Sequence, residues 1–315
     1  MKKFIPQILY YTGVNSIAGL LLRHHLSVVN FHSVSNAENS NELMTELYPD
    51  LTISVDQFEA RIQYLLKQQH TFITLADLDH GSLENVSKPT ILYFDDGFRD
   101  NIVNVLPILQ KYHIHAVFFL TTGLISRTHL MWSVKHRLFL KTKGQASEVI
   151  EREIHWLRKH NSSGRPAELE ALYQREGFAP DLSTLPIFLT WDEVRTLQQA
   201  GMEIGSHSVT HPYLTQISAE ALRVELSDSY QTIKQELGVA PVSLSFPHGR
   251  YNDEVKRVAG ESGYQNLVSA GLGLNQLSSL TIKPRLLSNV LNRPSDSLIE
   301  FSVNLYSANL LRVKK

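Results

Sequence analysis

The sequence predicts an α/β fold in which a parallel sheet is covered by helices. Short apolar runs alternate with longer stretches whose apolar residues recur with helical spacing. Strands that are apolar throughout fit a parallel sheet buried on both faces. This pattern leaves two architectures open, a barrel and a doubly wound sheet. The predicted strands comprise residues 27–31, 90–94, 115–120, 201–206, 242–246 and 265–270, and the predicted helices comprise residues 56–69, 98–112, 191–200, 218–237 and 253–262.

Two of the predicted helices carry recognisable start signals. Thr190 is followed three residues later by Glu193, which is the spacing of a capping box. Ser218 stands at the N-cap of the next helix. These signals predict helices that begin at residues 191 and 219.

The composition is that of an ordinary soluble globular protein, and it excludes several classes of function. The chain has 315 residues, of which 43% are hydrophobic and 19% charged, and its formal net charge is -1. A dedicated nucleic-acid binder usually needs a basic face, so we expect no nucleic-acid partner. The chain contains no cysteine, which excludes disulfides, thiolate metal sites and cysteine nucleophiles.

We divide the chain into three parts. Residues 1–24 form an N-terminal segment, residues 25–300 form the main domain, and residues 301–315 form a C-terminal tail. The strands and helices described above all lie in the middle part, which is long enough for one large α/β domain.

The N-terminal segment predicts an amphipathic helix packed on the domain. Its apolar residues, among them Ile8, Tyr11, Val14 and Leu21, share one helical face. Polar residues interrupt the segment, so we expect no transmembrane span. Peripheral contact of residues 4–22 with a membrane surface is the alternative. We expect a cytoplasmic protein. If residues 4–22 contact a membrane surface, the protein is also membrane-associated.

Residues 124–189 interrupt the alternation of strands and helices. They read as two or three polar helices joined by loops rich in Gly, Ser and Pro. A structureless loop of this length would be unusual in a compact domain, so we predict a helical insertion. The insertion forms either one wall of a substrate cleft or a decorated surface.

Polar side chains that can carry chemistry follow several of the predicted strands. In parallel α/β folds the active site forms at the carboxyl ends of the strands. Residues far apart in sequence would therefore meet in one cleft, which indicates an enzyme. The candidates are His32, Asp95, Asp96, His207, His211, His248 and Arg285.

His207 and His211 form a candidate metal-ligand pair. They are four residues apart, so on a helical turn they point the same way and can share a cation. Two imidazoles and one carboxylate are a common set for a divalent metal. The alternative is a solvated helix face, on which such a pair also occurs.

The adjacent carboxylates of Asp95 and Asp96 also favour a cation. Two ionised carboxylates in a partly buried pocket would raise one pKa, and a cation relieves this repulsion. If Asp96 binds the cation, Asp95 remains free to act as a base. The alternative is that one aspartate caps the following helix while Gly97 makes the turn, but a cap requires only one carboxylate.

Taken together, the motifs are highly specific. The chain contains "FDDG" at residues 94–97, "HSVTHP" at 207–212 and "SFPHGRY" at 245–251, with "FHSV" near the start. Over roughly residues 25–290 it resembles the polysaccharide deacetylase family, with its NodB-type domain.

The resemblance implies a distorted (β/α) barrel of about seven parallel strands. It also implies a hydrolase that removes acetyl groups from N-acetylated carbohydrates with the help of a divalent metal. By the same resemblance, Asp95 is the catalytic base, and Asp96, His207 and His211 are the metal ligands. We expect Zn²⁺, with Co²⁺, Ni²⁺ and Mn²⁺ as alternatives.

The chain departs from the family's usual pattern in two motifs. The third motif reads "SFPHG", and the resemblance assigns the backbone N–H of His248 to the oxyanion. The late histidine that protonates the leaving amine is missing, because no histidine follows residue 248. We expect His32 to supply this proton, with His248 as the second candidate; the alternative for His32 is a structural histidine bonded to a backbone carbonyl. Arg285 is expected to orient Asp95.

Two other functions remain open. One is an amidohydrolase of the same fold that acts on a non-sugar C–N bond. The other is a non-catalytic glycan-binding relative, which the missing late histidine favours and the retained Asp95 disfavours.

Overall fold

The computed structural model describes most of the chain. The described residues are 25–36, 50–80, 83, 86–126, 130–159, 165–182, 187–270, 275–277, 280–290 and 292–310. The helix predicted over residues 1–24 lies outside these residues. Among the described helices, none is long and apolar enough to cross a bilayer.

The described elements follow the alternation that the sequence predicts. The strands are β1 (His25–Phe31), β2 (Ser33–Val34), β3 (Thr52–Ile53), β4 (Thr71–Phe72), β5 (Pro89–Phe94), β6 (Val117–Leu120), β7 (Glu203–Ser206), β8 (Ser243–Ser245), β9 (Asn266–Ser269), β10 (Asn275–Gln276) and β11 (Arg285–Ser288). The α-helices are α1 (Val55–Lys67), α2 (Asp77–His80), α3 (Leu106–Lys111), α4 (Thr122–Ile125), α5 (Trp132–Thr142), α6 (Ser147–Lys159), α7 (Arg165–Arg175), α8 (Trp191–Gln199), α9 (Ala219–Leu237), α10 (Asp253–Ser262) and α11 (Leu298–Leu310).

Seven of the described strands form a nearly closed parallel barrel. Their order is β1-β5-β6-β7-β8-β9-β11, and each neighbouring pair is parallel. Just after β11, Val290 forms a parallel bridge with Val29 of β1 and donates its N–H to the carbonyl of Val28 at 2.8 Å. This bridge joins the two ends of the sheet. The barrel is therefore confirmed, and the doubly wound alternative is excluded.

Side chains alternate between the inside and the outside of the barrel, as the twofold period of a strand requires. Phe31, Phe94 and Phe118 stack on one another with ring centroids 5.5 and 4.9 Å apart, in a cluster that includes the helices. Their neighbours Tyr93 and Phe119 belong to a second cluster built mainly from strands, inside the ring. Because both faces are buried, the strands read as continuous apolar runs.

The two predicted helix starts are confirmed. The hydroxyl of Thr190 accepts from the backbone N–H of Glu193, and the Glu193 side chain accepts from the N–H of Thr190. The hydroxyl of Ser218 accepts from the N–H of Ala221. These bonds satisfy N–H groups that have no partner within the helix, so each helix begins where its cap stands.

In the described part of the segment between α4 and α8 there are three α-helices, α5, α6 and α7. They bury an apolar cluster of their own, separate from the barrel interior and composed of Phe139, Leu140, Ile150, Ile154, Leu169 and Tyr173. His136 is buried beside this cluster, where one ring nitrogen bonds to the Tyr173 hydroxyl and the other to the Glu153 carboxylate.

The last described helix, α11, packs on α1. Its Phe301 is fully buried, with the Arg61 guanidinium 5.1 Å from the ring centroid. Arg61 also donates to the carbonyl of Asp296, just before α11, at 2.7 Å. The predicted boundary at residue 300 lies within this helix.

Candidate active site and metal centre

Six of the seven candidate residues meet at the carboxyl end of the barrel. His32 follows β1, Asp95 and Asp96 follow β5, and His207 directly follows β7. These side chains, with His211 and His248, line a cavity of about 760 Å³. The convergence expected from the strand ends is therefore present.

A left-handed turn separates the two aspartates. The backbone of Asp96 has φ of 75° and that of Gly97 has φ of 84°. This left-handed backbone favours glycine at position 97, where an added Cβ atom would also lie 2.7 Å from Cδ1 of Ile125. Neither aspartate stands at the N-cap of the helical segment that follows, because a π-helical turn at Asn101–Val105, with Asp100 at its N-cap, leads into α3. The capping alternative is therefore wrong.

The two carboxylates have different neighbours. Asp95 accepts a hydrogen bond at 2.8 Å from the side-chain amide of Asn30. Oδ1 of Asp96 is buried and has no hydrogen-bond partner among the described residues, and the same is true of Oδ1 of Asp95. A buried carboxylate oxygen without a partner is costly, and a bound cation would satisfy it.

Asp96, His207 and His211 form a cluster suited to a metal ion. Oδ1 of Asp96 lies 3.6 Å from Nε2 of His207 and 3.5 Å from Nε2 of His211. One ligand atom from each of the three residues lies within 4.8 Å of the others. Two imidazole nitrogens and one carboxylate oxygen fit a divalent cation and leave room for water or substrate.

The ring of His207 is held in the tautomer that a metal ligand needs. Its Nδ1–H donates to the carbonyl of Ser245 at 2.8 Å, so Nε2 presents its lone pair toward Asp96. Burial lowers the pKa of His207 to about 4, and it lowers the pKa of His211 well below its usual range. Both imidazoles are therefore neutral, which is the form that binds metals.

The two histidines lie on a loop after β7 and not on a helical turn, so helical spacing is not what brings them together. Ser208 and His211 have left-handed backbones with φ of 65° and 60°. These reversals fold the loop back on itself. The imidazole rings then lie 4.8 Å apart, centroid to centroid.

Burial also perturbs both carboxylates. Desolvation raises the pKa of Asp95 to about 6, opposed by the nearby His32. Desolvation and the charge of Asp95 raise the pKa of Asp96 well above its usual range. A cation bound to Asp96 would offset both effects, because it stabilises the ionised forms.

His32 lies beside Asp95. Its Nε2 is 3.9 Å from Oδ2 of Asp95, and its side chain is 24% exposed toward the cavity. Its backbone carbonyl accepts from the side-chain amide of Asn101 at 2.9 Å, which fixes the segment after β1. Burial lowers the pKa of His32, while the charge of Asp95 opposes that shift.

His248 lies at the rim of the cavity, with its backbone in the left-handed region at φ of 59°. Its ring stacks on Tyr213 at a centroid distance of 3.8 Å and meets the ring of His211 edge-on at 4.5 Å. A Cβ atom added at the next residue, Gly249, would lie 2.1 Å from Cβ of Ala270. The turn at Gly249 therefore packs closely against Ala270, directly after β9.

Arg285 does not join the other candidates. Arg285 is the first residue of β11 and so lies at the amino end of the barrel. From the sequence we expected it at the end of a strand. Its guanidinium donates to the Asp79 carboxylate at 2.7 Å and to the carbonyl of Leu280 at 2.6 Å. Asn30, and not Arg285, donates to the Asp95 carboxylate at 2.8 Å. The expected orienting role of Arg285 is thus not supported by its position.

Residues of the helical insertion form part of the cavity wall. The insertion therefore reaches the candidate site, which favours a cleft wall over a decorated surface, the two alternatives that the sequence left open. The lining residues from its helices are Trp132, Ser133, Lys135, Arg158, Leu169, Glu170 and Tyr173.

Three contributors were missed by sequence reasoning. Asn30 is a polar residue within an apolar strand, which could have indicated a functional role. Ser245 acts through its carbonyl, which no residue type reveals. Glu225, on α9, bonds to the loop between His207 and His211 and looks like any helix-surface glutamate in the sequence.

Comparison with known proteins agrees with this geometry. The family model described as "Polysaccharide deacetylase" matches residues 83–267. The putative polysaccharide deacetylase YxkH of Bacillus subtilis (strain 168) is 20% identical over 244 residues, which are 76% of this chain and 62% of that protein. The poly-beta-1,6-N-acetyl-D-glucosamine N-deacetylase of Staphylococcus epidermidis is 27% identical over 152 residues, 43% of this chain and 51% of that protein.

The matched regions thus cover less than two thirds of either relative's own length. Among solved structures, the Streptococcus pyogenes deacetylase PplD in complex with acetate superposes with a TM-score of 0.58 at 19% identity. The alignment covers 90% of this chain and 99% of that one. At this identity the likeness establishes a shared fold.

Proposed function

Because the chain belongs to the polysaccharide deacetylase family, we propose that it hydrolyses the acetamido group of an N-acetylated sugar. The products are acetate and a free amino sugar within an oligosaccharide or polysaccharide. The observation that carries the proposal is the buried Asp96–His207–His211 cluster with a second buried carboxylate, Asp95, beside it in one cavity.

Asp96, His207 and His211 would hold the divalent cation. The partnerless oxygen of Asp96 and the two neutral imidazoles support this assignment. When bound, such a cation acts as a Lewis acid on the acetamido carbonyl and lowers the pKa of water. Imidazole with carboxylate suits Zn²⁺, which we propose, and also Co²⁺, Ni²⁺ and Mn²⁺.

In the proposed reaction Asp95 is the general base. It takes a proton from the attacking water, and its hydrogen bond from Asn30 fixes the orientation of the carboxylate. The backbone N–H of His248 is the proposed donor to the oxyanion that forms from the acetamido oxygen.

His32 is the proposed general acid. As imidazolium it donates a proton to the departing nitrogen, so that the C–N bond breaks to give a neutral amine. Its place beside Asp95 supports this role, because one pocket then holds both the proton acceptor and the proton donor.

We propose a polymer or oligomer of N-acetylglucosamine as the first substrate to test. The Staphylococcus epidermidis relative is named for deacetylation of poly-beta-1,6-N-acetyl-D-glucosamine, and its match covers 43% of this chain. The insertion helices along the cavity supply a wall against which neighbouring sugar units could rest.

The test is acetate release from a panel of N-acetylated oligosaccharides and non-sugar acetamides. We expect release from the sugars only, loss of release after chelation, and recovery on adding back Zn²⁺ or Co²⁺. Release from non-sugar amides alone would favour the amidohydrolase alternative. Sugar binding without any acetate release would indicate a glycan-binding protein.

A further inference from the structure

The loop between the two histidine ligands is held by a carboxylate that does not line the cavity. We infer that Glu225 is a positioning residue that presets His207 and His211 for a divalent cation. This inference rests on the metal-binding role proposed for those histidines. Glu225 lies on α9, outside the cavity lining, so its effect on the cation would pass through the loop.

Three hydrogen bonds tie Glu225 to the loop. Its Oε2 accepts from the backbone N–H groups of Val209 and Thr210, both at 2.9 Å. Its Oε1 accepts from the hydroxyl of Thr210 at 2.5 Å. Both carboxylate oxygens are thus engaged by the residues that lie between the two histidines.

The loop needs such support because its backbone conformation is unfavourable. Ser208 and His211 both occupy the left-handed region, which residues other than glycine rarely adopt. The bond from the His211 N–H to the Ser208 hydroxyl, at 3.1 Å, joins these two reversals within the loop. External contacts must therefore select this conformation over more relaxed ones.

Two neighbouring elements complete the support. One turn after Glu225 on the same helix, the hydroxyl of Ser229 accepts from that of Ser206 at 2.9 Å, just before His207. On the other side, the N–H groups of Thr122 and Gly123 in α4 donate to the carbonyls of Ser208 and Val209. The carbonyls of Ser208 and Val209 are thus held by α4, while the N–H groups of Val209 and Thr210 are held by Glu225.

Among these contacts, Glu225 makes the three bonds to Val209 and Thr210, which lie midway between the two ligands. Outer residues that orient metal ligands typically change metal affinity by about 10–100-fold when they are replaced. Loss of Glu225 should therefore weaken metal binding even though all three ligands remain.

The experiment compares Glu225→Ala, Glu225→Gln and the control Glu220→Ala. Glu220 is an exposed glutamate on the same helix. The metal-free proteins are titrated with Zn²⁺ and Co²⁺ in competition with a chelator, and circular dichroism establishes that each is folded. The readout is the dissociation constant for the metal, together with the cobalt absorption spectrum.

We expect Glu225→Ala to raise the dissociation constant about 10–100-fold and to alter the cobalt spectrum. Glu225→Gln should stay within about threefold of wild type, because its amide oxygen can accept the two backbone N–H groups while its NH₂ faces the Thr210 hydroxyl. Glu220→Ala should match wild type. If Glu225→Ala does not fold, Thr210→Val replaces it as the weakening variant, with a smaller loss expected.

The inference would be overturned if Glu225→Ala bound the metal with wild-type affinity. The same holds for Thr210→Val if that variant has to replace Glu225→Ala. Equal weakening in Glu225→Gln and Glu225→Ala would also overturn it, because the charge and not the loop geometry would then matter. If the wild-type protein bound neither metal, the proposed metal site itself would be wrong. If the wild-type protein bound the metal and the Glu225 variants bound it equally well, only the role of Glu225 would be wrong.

Discussion

At the scale of single residues, Asp95 and Asp96 differ because the backbone turns between them. The left-handed conformation of Asp96 directs its carboxylate toward the two histidines, whereas Asp95 remains in line with β5 and faces Asn30 and His32. Oδ1 of each aspartate is buried without a hydrogen-bond partner among the described residues, but only that of Asp96 lies 3.5–3.6 Å from Nε2 of both histidines, while Oδ2 of Asp95 is held by Asn30. These surroundings suit different tasks, metal binding and proton transfer.

Replacing His32 tests the source of the proton for the leaving amine. We expect His32→Gln to lower the rate of acetate release by about 10²–10⁴-fold, the usual contribution of a general acid. Metal content should not change, because His32 is outside the Asp96–His207–His211 set. The measurements are steady-state kinetics and metal analysis of the purified variant.

An unchanged rate in His32→Gln would assign the proton donor to His248 or to solvent. The matched variant His248→Gln separates these two outcomes. Because His248 stacks on Tyr213 and touches His211, its metal content must be measured as well.

Away from the site, His70 couples stability to pH. It is buried, its Nδ1 hydrogen-bonds to the Thr90 hydroxyl at 2.7 Å, and burial lowers its pKa from 6.5 to about 3. Between about pH 3 and pH 6.5, the His70 ring is therefore protonated in the unfolded chain but neutral in the folded protein. Its contribution makes the free energy of unfolding fall as the pH drops below about 6.5.

The variant His70→Asn should remove this dependence. Between pH 7 and pH 5, the wild-type protein should lose about 2 kcal/mol more of its unfolding free energy than the variant does. Urea denaturation at both pH values measures the difference. Identical losses in the two proteins would mean that His70 accepts a proton without unfolding.

Sequence reasoning identified most of the site residues but misplaced one. Asp96, His207 and His211 could be predicted because their residue types and spacing carry the chemistry. Arg285 could not be placed correctly, because a strand's start and end look alike where the apolar run is short. Asn30 was missed although it interrupts an apolar strand, because one polar residue within a strand does not reveal which group it contacts.

At the scale of elements, the loop after β7 shows what the spacing of residues cannot express. The spacing of His207 and His211 fits a helical turn, yet the structure brings them together through two left-handed residues. Neither of these is a glycine. Their conformation depends on contacts with α4 and α9, which are remote in sequence.

The helical insertion extends the site beyond the family's core motifs. The sequence predicted its helices but not its contact with the cleft, which depends on how the helices pack. Its own apolar cluster makes it a compact unit, and Trp132 and Tyr173 present aromatic rings at the cavity.

Trp132→Ala tests whether this wall binds sugar. We expect KM for N-acetylated oligosaccharides to rise about tenfold, in line with the loss of one aromatic stacking contact. The value of kcat should change less, because Trp132 is not among the proposed reacting groups. Steady-state kinetics on substrates of increasing length measure the effect.

The matched control is Trp156→Ala in the same insertion. Trp156 is 56% exposed and is not among the cavity-lining residues. It should leave KM unchanged. Equal KM values in wild type and Trp132→Ala would mean that the wall does not contact the substrate.

At the scale of the whole molecule, closure of the barrel creates the site. The bridge between Val29 and Val290 joins segments 261 residues apart and brings β11 beside β1. Periodicity indicates which segments are strands but not which of them meet, so the sequence pattern alone left a doubly wound sheet open. The family resemblance supplied the closure.

Asp95 is the proposed base beside a cation held by Asp96, His207 and His211. The most direct test of this role is acetate release and metal content in Asp95→Asn, measured on the same purified sample. We expect the rate to fall by about 10²–10⁴-fold while the metal remains bound at the wild-type level. Near-normal turnover in a metal-loaded Asp95→Asn protein would show that Asp95 is not the base.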